Sequence, residues 1–464
     1  MARAAARTHY VGTRPMINDK REIFGWAMYD WANSAFSTTI GTVFLGPYLA
    51  SLAEKAANLS TDGFAHFLGI PVAADSFFPY CISFSVLMQV LFLPILGAIA
   101  DYSHRRKQMM QLFATIGAVS TILMFFVTEP LWWLGGVLFI IANLTFGASI
   151  VFYNSYLPDI ASEDQRDRVS SFGWAMGYLG DGILLLLNLA LYLLSDKIGI
   201  PKDLAVRINL ASAGIWWLTF AFFTWVRLHP RHATKQLPKG ETYARVGFRQ
   251  LWGTIKEMRN FPETIKFLVA YFLYNDGIQT VISIASTFAV APLIRGGVGL
   301  DQSTLIIVIL MIQFMAFFGA LLWGRMANWF GAKRSIVISL FIWAGVTIYA
   351  YFGLKGPSRV VEFFILGACI AVVLGGSQAI SRSLYAQIIP SGKQAEYYSF
   401  YEVSDKGTSW IGPLLFGLVN QIFGSLRQAI LSLIFFLIVG LIILPFVNVG
   451  KAMADAKEFE AKTV

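Results

Sequence analysis

Apolar residues run through this chain in stretches long enough to cross a bilayer, with polar residues between them at fairly regular intervals. A spanning helix needs ~20 mostly apolar residues, because the hydrocarbon core is ~30 Å thick and a helix rises ~1.5 Å per residue. The runs are long and unbroken rather than short and alternating, which selects helices over barrel strands. About twelve spans are expected, near 23–50, 78–100, 108–128, 131–156, 169–194, 208–228, 264–292, 303–325, 335–354, 360–384, 398–421 and 427–448. The longest polar break runs from His229 to Pro262 and carries Arg231, His232, Lys235, Lys239, Arg245, Arg249, Lys256 and Arg259. It divides the chain into an N-terminus (1–22), a six-helix bundle (23–228), a linker (229–262), a second bundle (263–448) and a tail (449–464). The other long connection, Ser51 to Phe77, follows span one.

Composition agrees: 56% of residues are hydrophobic, 14% are charged, and mean hydropathy is +0.61. A soluble domain carries about 25% charged residues. The formal charge of +9 suggests membrane topology rather than nucleic-acid binding, because cytoplasmic loops collect Lys and Arg. Arg3, Arg7, Arg14, Lys20 and Arg21 precede span one, and Arg105, Arg106 and Lys107 follow span two. Arg166 and Arg168 follow span four, Lys333 and Arg334 follow span eight, and Lys393 follows span ten. With the basic linker, all of these fall on one side of a twelve-span arrangement. The opposite side is poorer, although it holds Lys197, Lys202 and Arg207. Both termini are therefore expected to be cytoplasmic, in a multi-pass protein of the cell (inner) membrane. The stretch Met1 to Arg21 lacks the apolar core and cleavage site of a signal peptide, so the first apolar segment should stay as a helix. Cys81 and Cys369 both lie in apolar helices and predict no structural disulfide.

The halves repeat each other. Gly97, Asp101, Arg105, Arg106 and Lys107 follow span two, and Gly324, Asn328, Lys333 and Arg334 follow span eight, with Gly97 and Gly324 offset by 227 residues. Tyr29-Asp30 and Pro47 of span one match Tyr274-Asn275 and Pro292 of span seven at an offset of 245. The long loop after span one absorbs the difference. Ser171-Phe172 and Ser399-Phe400 match at 228.

The loop Gly-x-x-x-Asp-x-x-x-Arg-Arg-Lys from Gly97 to Lys107 resembles the signature of the major facilitator superfamily, with a weaker copy whose Asn328 replaces the acid. Gly25-Trp26-Ala27-Met28-Tyr29-Asp30-Trp31-Ala32-Asn33-Ser34-Ala35-Phe36 resembles the opening of the autophagy-related vacuole effluxer-like family. That likeness continues through Tyr153-Asn154-Ser155-Tyr156-Leu157-Pro158 and covers essentially the whole chain. The resemblance implies the superfamily's fold of two pseudo-symmetric six-helix bundles, an all-α polytopic membrane protein. It associates fungal members with amino-acid release from the vacuole, and this chain with the bacterial type. In that fold spans one and seven line the cavity.

The signature loop suggests a cytoplasmic gate. Gly97 would let spans two and eleven approach closely, Asp101 would accept hydrogen bonds from a helix N-terminus, and Arg105 and Arg106 would pair with Asp159, Glu163 or Asp164. The alternative is a solvated basic turn. The gating reading predicts that Asp101→Asn abolishes transport while leaving expression intact.

Ionisable groups inside spans cost about 2.5–3.5 kcal/mol on insertion scales and usually face a cavity or a partner. Span one carries Asp30, Asn33, Ser37 and Gly41 at i, i+3, i+7 and i+11, which is one helical face. Asp30 lies nine residues beyond Arg21, roughly 13 Å of helix. Span seven carries Asn275, Asp276, Gln279, Ser283 and Ser286. Two polar stripes on repeat-related helices suggest one central site. Span five carries Asp181 and Asn188 after Gly173, Gly177 and Gly180, where Asp181 serves either packing or transport. Span eleven carries Glu402, Asp405, Lys406 and Ser409; Glu402 and Lys406, at i and i+4, can neutralise each other. Asn143, Asn154, Gln378, Arg382 and Tyr385 add polarity to spans four and ten, with Arg382 either snorkelling or lining the cavity. Trp26, Tyr29 and Trp31 are candidate stacking aromatics.

No Walker loop is present, and the glycines at Gly375-Gly376 follow no strand, so ATP is disfavoured as the energy source. The expected activity is secondary transport of a small polar solute, an amino acid or similar zwitterion, by alternating access. A proton is the expected coupling ion, because burial raises a carboxylate pKa towards neutrality. Asp30, Asp276 or Asp405 would carry it. Partners are then the solute, the proton and membrane lipids, with no cofactor, nucleic acid or obligate protein partner. A lipid or lysolipid flippase, a membrane enzyme and a non-transporting sensor are the rivals. The five histidines, at 9, 66, 104, 229 and 232, are scattered and form no metal site or Ser/His/Asp arrangement.

Overall fold

A computed structural model describes residues 17–162, 165–230, 237–238, 240–389, 401 and 409–463. Ten helices are long and apolar enough to cross a membrane, and two shorter apolar stretches, Gln302–Ala316 and Ile411–Phe423, fall where spans eight and eleven are expected. Twelve spans result, in the predicted order. Most boundaries agree within a few residues: span two is Phe77–Tyr102, span four Trp132–Asn154, span five Arg166–Leu194 and span seven Pro262–Val290.

Span one is longer than expected. It runs as helix from Lys20 to Asn58, with a π-helical segment at Phe36–Phe44. Asp19 caps its start by accepting from the Arg21 N–H at 2.9 Å, and Glu22 adds an acid to the first turn, where the helix dipole favours one. The π segment shifts the hydrogen-bond register by one residue, so positions beyond Phe36 no longer follow the face set by Asp30.

The chain is not purely helical. Between spans one and two, Ala65–Phe67 and Ile70–Val72 form an antiparallel hairpin. Leu68 and Gly69 turn it with φ of 51° and 81°, the positive pair that a tight hairpin turn requires. The linker also contains a helix, Tyr243–Met258, capped by Thr242. Gly247 presses this helix onto span two at the carbonyl of Pro94, and Gln250 Nε2 donates to Tyr102 Oη at 3.1 Å. Any side chain at Gly247 would meet that carbonyl. The tail is a helix, Val449–Thr463, whose Phe459 packs edge-on against Phe261 at the linker's end, centroids 5.2 Å apart.

Lipid offers no hydrophobic drive between spanning helices, so association rests on close packing and buried hydrogen bonds. Gly117 accommodates the Trp217 ring, and Gly214 lies against the backbone of Ala118. In the second half, buried Arg427 donates to the carbonyls of Ala350, Tyr351 and Leu354, each at 3.0 Å, at the C-terminus of span nine (Ala332–Phe352). A cation is well placed there, because the helix dipole leaves that end negative.

Candidate transport site and gates

Asp30 sits where spans one, four and five meet. Tyr153 Oη donates to its Oδ2 at 2.7 Å. Trp26 holds Tyr153 in place: its Nε1 donates to the Tyr153 carbonyl at 3.1 Å, and the two rings stack with centroids 4.4 Å apart. Gly173 of span five faces the same carboxylate oxygen, leaving no room for a Cβ. The small residues of span five thus make space for the acid of span one. Trp26 and Tyr29 are buried against Tyr153, which removes them as free stacking platforms. Trp31 stacks on Trp216 instead.

The rest of the span-one stripe diverges. Asn33 is buried in the bundle, while Ser37, inside the π segment, is exposed. The one-face expectation therefore fails beyond the first turn. Thr38 turns towards span five and donates to Asp181 Oδ2 at 2.7 Å. Asn188 joins a packing network: its Nδ2 donates to Thr39 Oγ1 at 3.3 Å, Ser212 Oγ donates to its Oδ1 at 3.0 Å, and Asn209 donates to its carbonyl at 3.1 Å.

On span seven, Asp276 Oδ2 accepts from the Gly412 N–H at 2.9 Å, near the start of the span-eleven helix Ile411–Phe423. A carboxylate at a helix N-terminus is electrostatically favoured. Thr280 and Asp276 close around Gly412, so no larger residue fits. Asn275 is buried, Gln279 and Gln378 are half-buried, and the Gln279 carbonyl accepts from Ser283 at 2.9 Å. Beside them Tyr274 Oη and Ser381 Oγ share a hydrogen bond of 2.6 Å. Ser381 stands 228 residues after Tyr153, so repeat-related positions of spans four and ten bond the repeat-related Tyr274 and Asp30 neighbourhoods. Glu402, Asp405 and Lys406 lie outside the described residues, as do Ser399 and Phe400 of the repeat.

At the basic-loop end, Arg106 is buried and pairs with Asp159 at 2.9 Å, one of its expected partners, while its Nε donates to the Ala100 carbonyl at 2.5 Å. The pair ties the loop after span two to the end of span four, within one half. Arg105 and Arg334 are exposed. Lys333 donates to the carbonyls of Pro445 and Val447, at 2.8 and 2.9 Å, within the second half, beside a cavity of about 630 Å³. Among the described residues nothing lies within 4 Å of where a Cβ at Gly97 would stand, and the start of span eleven, its expected partner, lies outside them. Asp101, Gly324 and Asn328 lie near the ends of the span-two and span-eight helices, Phe77–Tyr102 and Gln302–Phe330.

At the opposite end the halves are fastened together. Arg295, between spans seven and eight, pairs with Glu54 at 3.0 Å and Asp75 at 3.2 Å, the extension of span one and the entry to span two. Ser76 Oγ donates to the Gly417 carbonyl at 2.9 Å, Tyr80 Oη donates to Gln421 at 2.9 Å, and Gln302 donates to the Val43 carbonyl at 3.1 Å. Sequence reasoning missed this clasp. The available signal was Arg295 itself, a cation on the positive-poor side. Among the described residues, no side-chain bond at the basic-loop end joins the two bundles directly.

Two bundles of six spans, buried acids within them and a fastened end opposite the basic loops define a polytopic carrier of the major facilitator class. Solved carriers share the fold: a mutant of the nucleoside transporter NupG superposes with a TM-score of 0.66 at 14% identity, covering 92% of this chain and 99% of that one. A bacterial homologue of the human lysosomal transporter Spinster, inward-facing and unoccupied, gives 0.62 at 14% identity, covering 96% and 99%. The chain belongs to the vacuole effluxer Atg22-like family, whose model matches residues 18–457. It is 29% identical to the uncharacterized MFS-type transporter YxiO of Bacillus subtilis over 425 residues, covering 91% of this chain and 94% of that one. It is 26% identical to autophagy-related protein 22-1 of Penicillium rubens over 556 residues, covering 96% and 92%. The chain is thus a multi-pass membrane transporter, like its relatives and structural neighbours, and not an enzyme.

Proposed function

We propose that this transporter is a proton-coupled secondary carrier of a small polar solute, an amino acid or similar zwitterion, exported by alternating access between the two bundles. The observation that carries the reading is the pair of carboxylates, Asp30 and Asp276, on repeat-related spans one and seven. Each is held by a donor inside its own bundle, Tyr153 and the Gly412 N–H. Keeping a carboxylate inside a bilayer is costly, and such groups mark solute or ion pathways. The fungal relatives' association with vacuolar amino-acid release supports the solute class. The clasp around Arg295 is the closed gate of this state, with the basic-loop side as the cytoplasmic one. Arg106 and Asp159 brace the cytoplasmic gate together with Asp101, Arg105, Lys333 and Arg334.

Proteoliposome flux tests this. Purified protein should accelerate counterflow of one or more labelled amino acids, and collapsing the pH gradient should slow uphill movement. Flux indifferent to the gradient removes the proton, and amino acids that neither move nor stabilise the protein remove the solute. Lipid translocation in the same vesicles would turn the assignment towards a flippase.

A further inference from the structure

Asp181 differs from the other buried acids in where its bonds go. Its Oδ2 accepts from Thr38 Oγ1 at 2.7 Å, inside the first half, and from Gln313 Nε2 at 2.9 Å, on span eight of the second half. The side chain is 2% exposed, and Oδ1 has no hydrogen-bond partner among the described residues. Gln313 stands eleven residues into span eight from Gln302, about 16 Å of helix, and Asp181 thirteen residues before the end of span five at Leu194, about 20 Å. The bond therefore crosses between the bundles near the middle of the bilayer, well below the clasp at Arg295. Span one brings it Thr38, span eight Gln313, and span five itself Tyr178 one turn away. The charges nearest in sequence on the elements packed around it are Asp30 on span one, Arg207 on span six and Arg325 on span eight. These lie at least eight residues along their helices from Thr38, from Ser212 near Asn188, or from Gln313, except Arg207, which faces Asp203 at the outer end. Among the described residues, no cation pairs with Asp181 directly.

An amide donates more strongly to a carboxylate than to a neutral carboxyl group. We propose that Gln313 is a positioning residue whose bond to Asp181 latches the two bundles while that acid is ionised, and that a proton on Asp181 releases the latch. The proton adds to Oδ1, the oxygen without a partner, and converts the carboxylate into a neutral acid. The Gln313 and Thr38 bonds to Oδ2 then weaken together, and the bundles are free to swing. The inference rests on the proton-coupled reading and goes beyond it by assigning the conformational step to one inter-bundle bond.

The test is the distance between the bundles at the outer end. Spin labels are placed at Leu59→Cys and Phe423→Cys, both exposed, in a Cys369→Ser background in liposomes. In the parent protein, acidification should raise the separated-to-closed ratio by about tenfold. In Gln313→Ala and in Gln313→Met, which fills similar space without a donor, the ratio should already be raised in alkaline buffer. Asp181→Asn should no longer respond to pH. If flux follows the pH gradient but Gln313→Ala, Gln313→Met and Asp181→Asn all keep the parent's pH response, the latch is wrong and the proton-coupled reading stands. If neither the parent's flux nor its distances respond to pH, both fall.

Discussion

Tyr153 donates to Asp30 across 2.7 Å, joining span four to the one acid of span one that lies deep in the bundle. The same tyrosine is stacked by Trp26 and faces Gly173. The carboxylate is held by a built support and does not hang free in a cavity.

Tyr153→Phe removes that donor and keeps the ring. A hydrogen bond to a charged group is worth ~1.5–3 kcal/mol, so flux should fall by at least about tenfold. Thermal stability should fall as well, by a few degrees, because the carboxylate loses its donor while the stacking on Trp26 survives. Parent-like flux in Tyr153→Phe would show that Asp30 needs no support.

Gly173→Ala and Gly97→Ala should separate cleanly. A methyl group at Gly173 meets the Asp30 carboxylate, and overpacking of this kind costs ~1–3 kcal/mol. A methyl group at Gly97 meets nothing described within 4 Å. Melting of purified protein should drop by several degrees for the first and stay put for the second. Equal drops would mean that span two is packed more tightly at Gly97 than the structure has it.

Arg106→Gln should be costly. The guanidinium is buried, and removing one partner of a buried pair costs about 3–5 kcal/mol; Asp159 is partly exposed, so the lower end is expected. Asp159→Asn should be milder, because Arg106 keeps its bond to the Ala100 carbonyl. Denaturation midpoints of the two variants check the order, and the reverse order would place the stabilisation in Asp159.

Arg295→Gln unfastens the clasp at the end opposite the basic loops. Asp75, which is buried, loses its cation, and Glu54 loses its partner. A cysteine introduced at Ser76 should then react faster with a membrane-impermeant maleimide from the side opposite the basic loops. Unchanged labelling would leave closure to the Ser76–Gly417, Tyr80–Gln421 and Gln302–Val43 bonds.

The pattern of apolar runs was enough to count the spans and to find the two halves, because membrane-spanning length and charge exclusion act on every residue of a span. Asp30, Asp181 and Asp276 were legible for the same reason: a charge in an apolar run stands out. Their partners were not. Tyr153 reads as one aromatic among many, Gln313 as an ordinary amide in span eight, and Gly412 as one glycine of forty. The hairpin at Ala65–Phe67 and Ile70–Val72 was hidden in a loop too short and mixed to show a period.

The sequence by itself determined that this chain spans the membrane as two related bundles, since burial in lipid demands helices that satisfy their own backbone. Which acid is tied within a bundle and which reaches between bundles was decided by tertiary structure. The π segment at Phe36–Phe44 turns Thr38 towards Asp181, and glycines on spans five and eleven admit Asp30 and Asp276. Those contacts depend on how helices distant in sequence rotate and approach, and no local pattern encodes them.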